Sequence, residues 1–114
     1  MQALAFSPDG RMLAVGGRDG DMRVWDRSSG TQGAVLTPGE EPVGALAFSP
    51  DGRTLAVGAG GTVELWDVAT WSLRERLGWH EGRVTCLAYS PDGARLASGG
   101  HDRAVRLWRV AETP

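Results

Sequence analysis

The sequence predicts an all-β fold made from one supersecondary unit written three times, and three observations carry that expectation. The apolar runs are short: between Val84 and Arg109 they cover Val84–Tyr89, Arg95–Ser98 and Ala104–Trp108, which are strand lengths rather than helix lengths. A Ser-Pro-Asp-Gly tetrapeptide stands between the first two of these runs, and it occurs three times, at Ser7–Gly10, Ser49–Gly52 and Ser90–Gly93. Seventeen glycines and six prolines punctuate the 114 residues, and no helical periodicity survives across them.

The tetrapeptide has a mechanism. Proline presets φ at the second position of a type I turn, aspartate suits the third, and glycine accepts the positive φ that follows, so each copy reads as a hairpin connection. The flanking residues repeat too: Phe6, Phe48 and Tyr89 precede the turns, and Trp25-Asp26, Trp66-Asp67 and Trp108-Arg109 close the units. A period of about 41 residues with about four strands per unit is the signature of propeller blades. In its Ser-Pro-Asp-Gly turn, Gly-rich segment and closing Trp-Asp at a fixed period, nearly the whole chain resembles three consecutive WD40 repeats. The implied fold is a set of WD40-type β-propeller blades, three four-stranded repeats of which the last lacks its outer strand, open rather than closed. The repeats divide as 1–36, 37–77 and 78–114.

Taken in order, the first unit has an innermost strand a at Gln2–Phe6, then b at Met12–Val15, c at Met22–Trp25 and an outer strand d at Gln32–Leu36. The second follows with Val43–Phe48, Thr54–Val57, Thr62–Trp66 and Ser72–Leu77. The third supplies a, b and c. Inner strands read as nearly continuous apolar or small runs, as expected where both faces of a sheet are covered. Ala5, Ala47 and Ala88 recur on strand a, where a crowded centre demands small side chains, and the three closing tryptophans are expected to pack between blades. The outer strand Ser72-Leu73-Arg74-Glu75-Arg76-Leu77 mixes in charges, which protect an edge from pairing. Met1 leaves no room for a His-bearing segment before the first strand a, and Val110–Pro114 stops where the third outer strand is due. Propellers close with about four to eight blades. The expectation is therefore a fragment, a terminal piece, or a protomer that completes a ring with other copies.

Composition narrows the function classes. A hydrophobic content of 41% and a charged content of 23% are ordinary for a soluble protein. A formal net charge of −2, with arginine as the only strongly basic residue, gives no electrostatic reason to expect nucleic acid as a partner. Cys86 has no internal partner, which fits a reducing compartment. No apolar stretch reaches the length of a membrane span or signal-peptide core. A cytoplasmic location is expected.

His80, Ser98, Asp102 and Trp108 in the third unit invite a hydrolase reading, but neither a nucleophile elbow nor an oxyanion hole accompanies them. The resemblance implies instead a buried hydrogen-bonded tetrad that satisfies the indole N–H and fixes the loops. The second unit has Gly39 and Val57 where His80 and Ser98 align, and the first keeps Asp19 and Trp25 but has Val15 for the serine, so only the third is expected to own the full set. Gly58-Ala59-Gly60-Gly61 leads into a strand, whereas a phosphate loop leads into a helix. Two histidines and one cysteine match no usual zinc spacing. Neither a metal nor a cofactor is expected, and Cys86, aligned with Ala45 and Ala3, reads as a filler of a small-residue position.

What remains is surface. In the family this chain resembles, the loops before strand a and the b-to-c turns form a common docking face for other proteins. Here they present Arg18, Glu40, Glu41, Trp79, Arg83 and His101, and exposed tryptophan and arginine are frequent interface anchors. Trp79 has an alternative place, packed onto Trp71 or the neighbouring loop. The resulting expectation is a protein-interaction scaffold, part of a larger or oligomeric propeller, with self-association as one way to complete it. The alternatives are a propeller-fold enzyme fragment, which would need carboxylates or metal ligands converging on the central channel, and a non-functional truncated gene product.

Overall fold

The structure, a computed structural model, describes residues 3–17, 22–26, 31–36, 43–68, 72–79, 82–100 and 105–109. Among them every regular element is a strand: β1 (Ala3–Phe6), β2 (Met12–Gly16), β3 (Met22–Asp26), β4 (Thr31–Leu36), β5 (Val43–Phe48), β6 (Thr54–Ala59), β7 (Thr62–Asp67), β8 (Ser72–Trp79), β9 (Val84–Tyr89), β10 (Arg95–Gly100) and β11 (Val105–Arg109). They form three antiparallel meanders, β1-β2-β3-β4, β5-β6-β7-β8 and β9-β10-β11. The first strands of the sheets lie side by side, β1 against β5 and β5 against β9, so the sheets radiate from a common hub as an open stack of three blades.

The Ser-Pro-Asp-Gly segments build the same turn three times. Gly10, Gly52 and Gly93 have φ of 74°, 74° and 75°, where a Cβ would be strained, and each glycine amide donates to the serine carbonyl at 2.9 Å. Each serine hydroxyl donates to the aspartate Oδ1, at 2.6 Å from Ser7, 2.5 Å from Ser49 and 2.6 Å from Ser90. The same hydroxyl accepts the first amide of the next strand, from Met12, Thr54 and Arg95. A second amide, from Arg11, Arg53 and Ala94, donates to the carboxylate. These side-chain bonds satisfy turn groups that the ladders leave over.

Pairing register sorts each blade into two faces. On the second blade one rung carries Leu46, Val57 and Glu64 and another Phe48, Leu55 and Trp66; we call this the front. The rear rungs carry Ala45, Gly58 and Val63, and Ala47, Ala56 and Leu65. Large residues in front and small ones behind let blades nest. The rear of blade one, with Ala14, Met22 and Val24, packs on the front of blade two, with Leu46, Leu55, Val57 and the partly buried Phe48 and Trp66. The rear of blade two, with Ala45, Ala56, Val63 and Leu65, packs on Val84, Leu96, Tyr89 and Trp108 of blade three. Each fully buried leucine or valine in these seams contributes roughly 1.5–3 kcal/mol. The seams are also tied through the backbone, Val43 N–H donating to Gly17 O at 3.1 Å and Val84 N–H to Gly60 O at 2.7 Å.

Two expectations need correction. The outer strand of blade two runs past Leu77 through Trp79, because the tight turn at Gly60 lets β7 begin at Thr62 and so offers ladder partners to Gly78 and Trp79. Trp79 therefore closes a strand instead of standing in a loop. The arginines of that strand also do more than guard an edge: Arg74 Nη1 donates to Thr54 Oγ1 at 3.0 Å and Arg76 Nε to Glu64 Oε2 at 3.0 Å. Both reach back over the sheet.

Candidate functional site

Among the described residues, Gly17, Gly60 and the starts of β5 and β9 lie at one end of the strands, and the Ser-Pro-Asp-Gly turns lie at the other. Among the residues expected on the loop end, Arg83 is exposed and immediately precedes β9. Its neighbour Val84 is fully buried and bonded to the Gly60 carbonyl, so the Arg83 backbone is held beside the b-to-c turn of blade two. Trp79 sits at the end of β8, opposite Thr62. Arg18, Glu40, Glu41 and His101 lie outside the described residues, as do His80 and Asp102.

Two of the buried polar side chains, Glu64 and Ser98, stand on the front faces of their blades. In blade three the Trp108 indole Nε1 donates to Ser98 Oγ at 2.9 Å, and Ser98 is fully buried. A hydroxyl accepting an indole N–H beneath a packed seam satisfies that donor. Ser98 pairs with Arg106 across β10 and β11, and Trp108 lies two residues beyond on the same face. Blade two has Val57 at the place of Ser98, yet its tryptophan is not left without an acceptor. Trp66 Nε1 donates to Glu64 Oε1 at 3.1 Å, and the other carboxylate oxygen takes Arg76 Nε. Glu64 is the residue directly opposite Val57. The acceptor has thus moved one strand across on the same rung. Sequence reasoning missed Glu64; the signal was a carboxylate in the middle of the apolar run Thr62–Trp66, two residues before the tryptophan and hence on its face. Blade one has neither acceptor, with Val15 facing Arg23, and Asp19 lies outside the described residues.

Tyr89 replaces the phenylalanine of the other units, and its buried hydroxyl has no hydrogen-bond partner among the described residues. Burial first, and then the charge of Asp51, pushes this phenol above its usual range, while Arg74 pulls it the other way. At the turn end, the Ser49 hydroxyl and then the Arg53 amide hold Asp51 below the ordinary 3.8, and the serine hydroxyl and following amide act likewise on Asp9 and Asp92. These carboxylates are ordered by their own turns. Among the described residues there is no group of three or more metal-ligating side chains, and no helix long and apolar enough to cross a membrane. The Gly58–Gly61 segment leads into β7, a strand.

The comparisons with known proteins agree with this geometry. The family model described as WD domain, G-beta repeat matches residues 2–26, 30–67 and 71–109. A probable cytosolic Fe-S cluster assembly factor of Schizosaccharomyces japonicus is 32% identical over 96% of this chain and 22% of its own length. A periodic tryptophan protein 2 homolog of Dictyostelium discoideum is 42% identical over 40% of this chain and 5% of its own. The small ribosomal subunit protein RACK1 of Caenorhabditis elegans is 31% identical over 60% of this chain and 21% of its own. The chain spans less than a quarter of the length of each of these relatives. With three consecutive matches, one over each sheet, and a Trp-closed strand in every blade, the chain belongs to the WD40 repeat family.

Proposed function

We propose that this chain is a protein-interaction scaffold within a larger or oligomeric propeller, acting in the cytoplasm without catalysis, cofactor or metal. Its units are repeats 1–36, 37–77 and 78–114, and its partners are proteins, not nucleic acid or membrane. The observation that carries the reading is the division of labour among side chains. The buried apolar residues fill the seams, the buried Glu64 and Ser98 accept from tryptophans there, and an exposed arginine stands beside the Val84–Gly60 bond. Rigid loops on a packed scaffold are suited to recognition. The docking face comprises Arg18, Glu40, Glu41, Trp79, Arg83 and His101, with Arg83 as its electrostatic anchor. His80 and Asp102 complete a tetrad with Ser98 and Trp108 and brace that face. The cytoplasmic assignment is supported by the cytosolic relative.

The test is a cross-linking experiment in cells followed by identification of the linked peptides. Links to a partner are expected from the loop end, and Arg83→Glu should abolish them without changing the melting temperature. Retention of the partner in Arg83→Glu together with its loss in Arg53→Glu, at the opposite end, would refute the assignment of the face.

A further inference from the structure

Between the Ser-Pro-Asp-Gly turns of blades one and two lies a groove of about 400 Å³. Pro8 lines it from one blade and Pro50 from the other, Met12 and Val68 supply apolar surface, and Asp9 and Asp51 supply carboxylates. Arg11 lines it too, so two carboxylates stand against one guanidinium. Met12 and Val68 are partly buried and pack on the core of the seam. Each carboxylate is oriented by its own turn, through a serine hydroxyl and a backbone amide that both reach Oδ1. The volume falls within the roughly 300–1,000 Å³ of small-ligand pockets.

The seam between blades two and three has the same framework at this end. A Cβ on Gly52 would lie 3.7 Å from Pro8 Cδ and one on Gly93 3.5 Å from Pro50 Cδ, so successive turns stack alike. In that second seam, however, the chain brings its own cation. Arg74 Nη1 donates to Thr54 Oγ1, on the first residue of β6, at 3.0 Å, and Arg74 and Asp51 both stand near enough to Tyr89 to act on its phenol. Arg74 is the extra residue where the β7–β8 register shifts between Leu65 and Trp66. The same bulge occurs in blade one, between Val24 and Trp25, and the extra residue there is Gly33. A glycine has no side chain to send, and Met12, at the place of Thr54, has no hydroxyl to accept one. What stays is the apolar surface and the pair of aspartates.

We infer that the groove between blades one and two receives an arginine side chain of a partner protein, at the place where blade two supplies Arg74 from within. The inference rests on the scaffold reading and gives it a second docking place, at the opposite end from Arg83. The stem of the arginine lies on Met12 and Val68, and its head meets Asp9 and Asp51. A guanidinium offers carboxylates a planar fork of donors, which a lysine ammonium cannot match.

The test is a titration of the ¹⁵N-labelled chain with N-acetyl-arginine amide, followed by amide chemical shifts. Saturable shifts are expected at Asp9, Arg11, Gly52 and Val68. N-acetyl-lysine amide should bind about threefold more weakly or worse, and N-acetyl-glutamate amide should cause no such shifts. Gly33→Arg places a cation at the groove from within while leaving every turn residue in place, and blade two shows that the bulge tolerates arginine. It should raise the melting temperature and weaken probe binding roughly tenfold, because a tethered side chain acts at a far higher effective concentration than a free one. Arg83→Glu should leave the titration unchanged, so the groove and the loop-end face fail independently. Absence of saturable shifts at the groove in the wild-type chain would overturn the inference, as would equal binding of the lysine or glutamate probe. Undiminished binding to a folded Gly33→Arg chain would place the arginine elsewhere and overturn it equally.

Discussion

The indole N–H of Trp66 donates to the carboxylate of Glu64, two residues earlier on the same face of β7, at 3.1 Å. In blade three the corresponding donor, on Trp108, goes to Ser98 on the adjacent strand. Two blades of one chain thus satisfy the same buried group by different routes. Glu64→Ala should leave the Trp66 N–H without its acceptor and cost about 1–3 kcal/mol in a denaturant melt. Arg76→Ala should also destabilise, because it leaves the Glu64 carboxylate, 3% exposed, without its counter-ion, although the 64% exposure of the arginine lets water take part of that place. Adding Val57→Ser to Glu64→Ala should recover part of the loss, since the serine would stand where Ser98 stands. No recovery would show that the two routes are not interchangeable.

The proposed tetrad makes a separate prediction in blade three. Ser98→Ala removes the observed acceptor and should destabilise by about 1–3 kcal/mol. Asp102→Ala should be comparable if aspartate and histidine brace the same group, and Asp19→Ala should cost less, because blade one has Val15 at the serine position. Equal melting shifts for Asp102→Ala and Asp19→Ala would sink the tetrad. Ester hydrolysis that depended on Ser98 in a folded protein would restore the enzyme alternative.

Much of the fold could be read from local chemistry. The positive φ of Gly10, Gly52 and Gly93 follows from Ser-Pro-Asp-Gly alone, and strand lengths follow from apolar runs bounded by such turns. The seam positions of Trp66 and Trp108 follow from the repeat. What escaped was information held between strands. That Glu64 substitutes for a serine requires the β6–β7 register, which places it opposite Val57. That Arg74 and Arg76 bond back across the sheet requires knowing which polar groups β6 and β7 bring within their reach. A one-dimensional reading ends the strand at Leu77, before Gly78, and so leaves Trp79 to the loop, while the ladder ends where its partner does, at Thr62.

The repeated turn predicts a shared acid response. The folded aspartates of the three turns titrate below the unfolded value, through the serine hydroxyl first and the backbone amide second. A depressed carboxylate contributes stability that is fully present above the unfolded value near 3.8 and is lost as pH falls through the folded one. As far as these groups are concerned, the midpoint of thermal unfolding should therefore not vary with pH near neutrality and should decline below about pH 4. Replacing all three with asparagine should flatten that acid limb and lower the neutral-pH midpoint. An acid limb of unchanged steepness would assign the response to other carboxylates.

The hub offers the narrowest tolerance. Gly44 is the extra residue where the β5–β6 register shifts between Val43 and Ala45, a β-bulge that brings β5 close to β9. A Cβ at Gly44 would stand 2.6 Å from the Val84 carbonyl oxygen, a backbone atom that cannot rotate away. That carbonyl belongs to the residue whose amide ties blade three to Gly60, so relieving the contact would pull on the same seam. Gly44→Ala should destabilise by roughly 1–3 kcal/mol, the usual cost of overpacking. At the same place the first unit has Gln2 and the third an exposed Thr85, so glycine is demanded by this one seam and not by the repeat. Thr85→Ala should shift the melt by less than about 0.5 kcal/mol, as for an ordinary surface change. Equal losses at the two positions would mean that the requirement lies in the strand and not in the contact between β5 and β9.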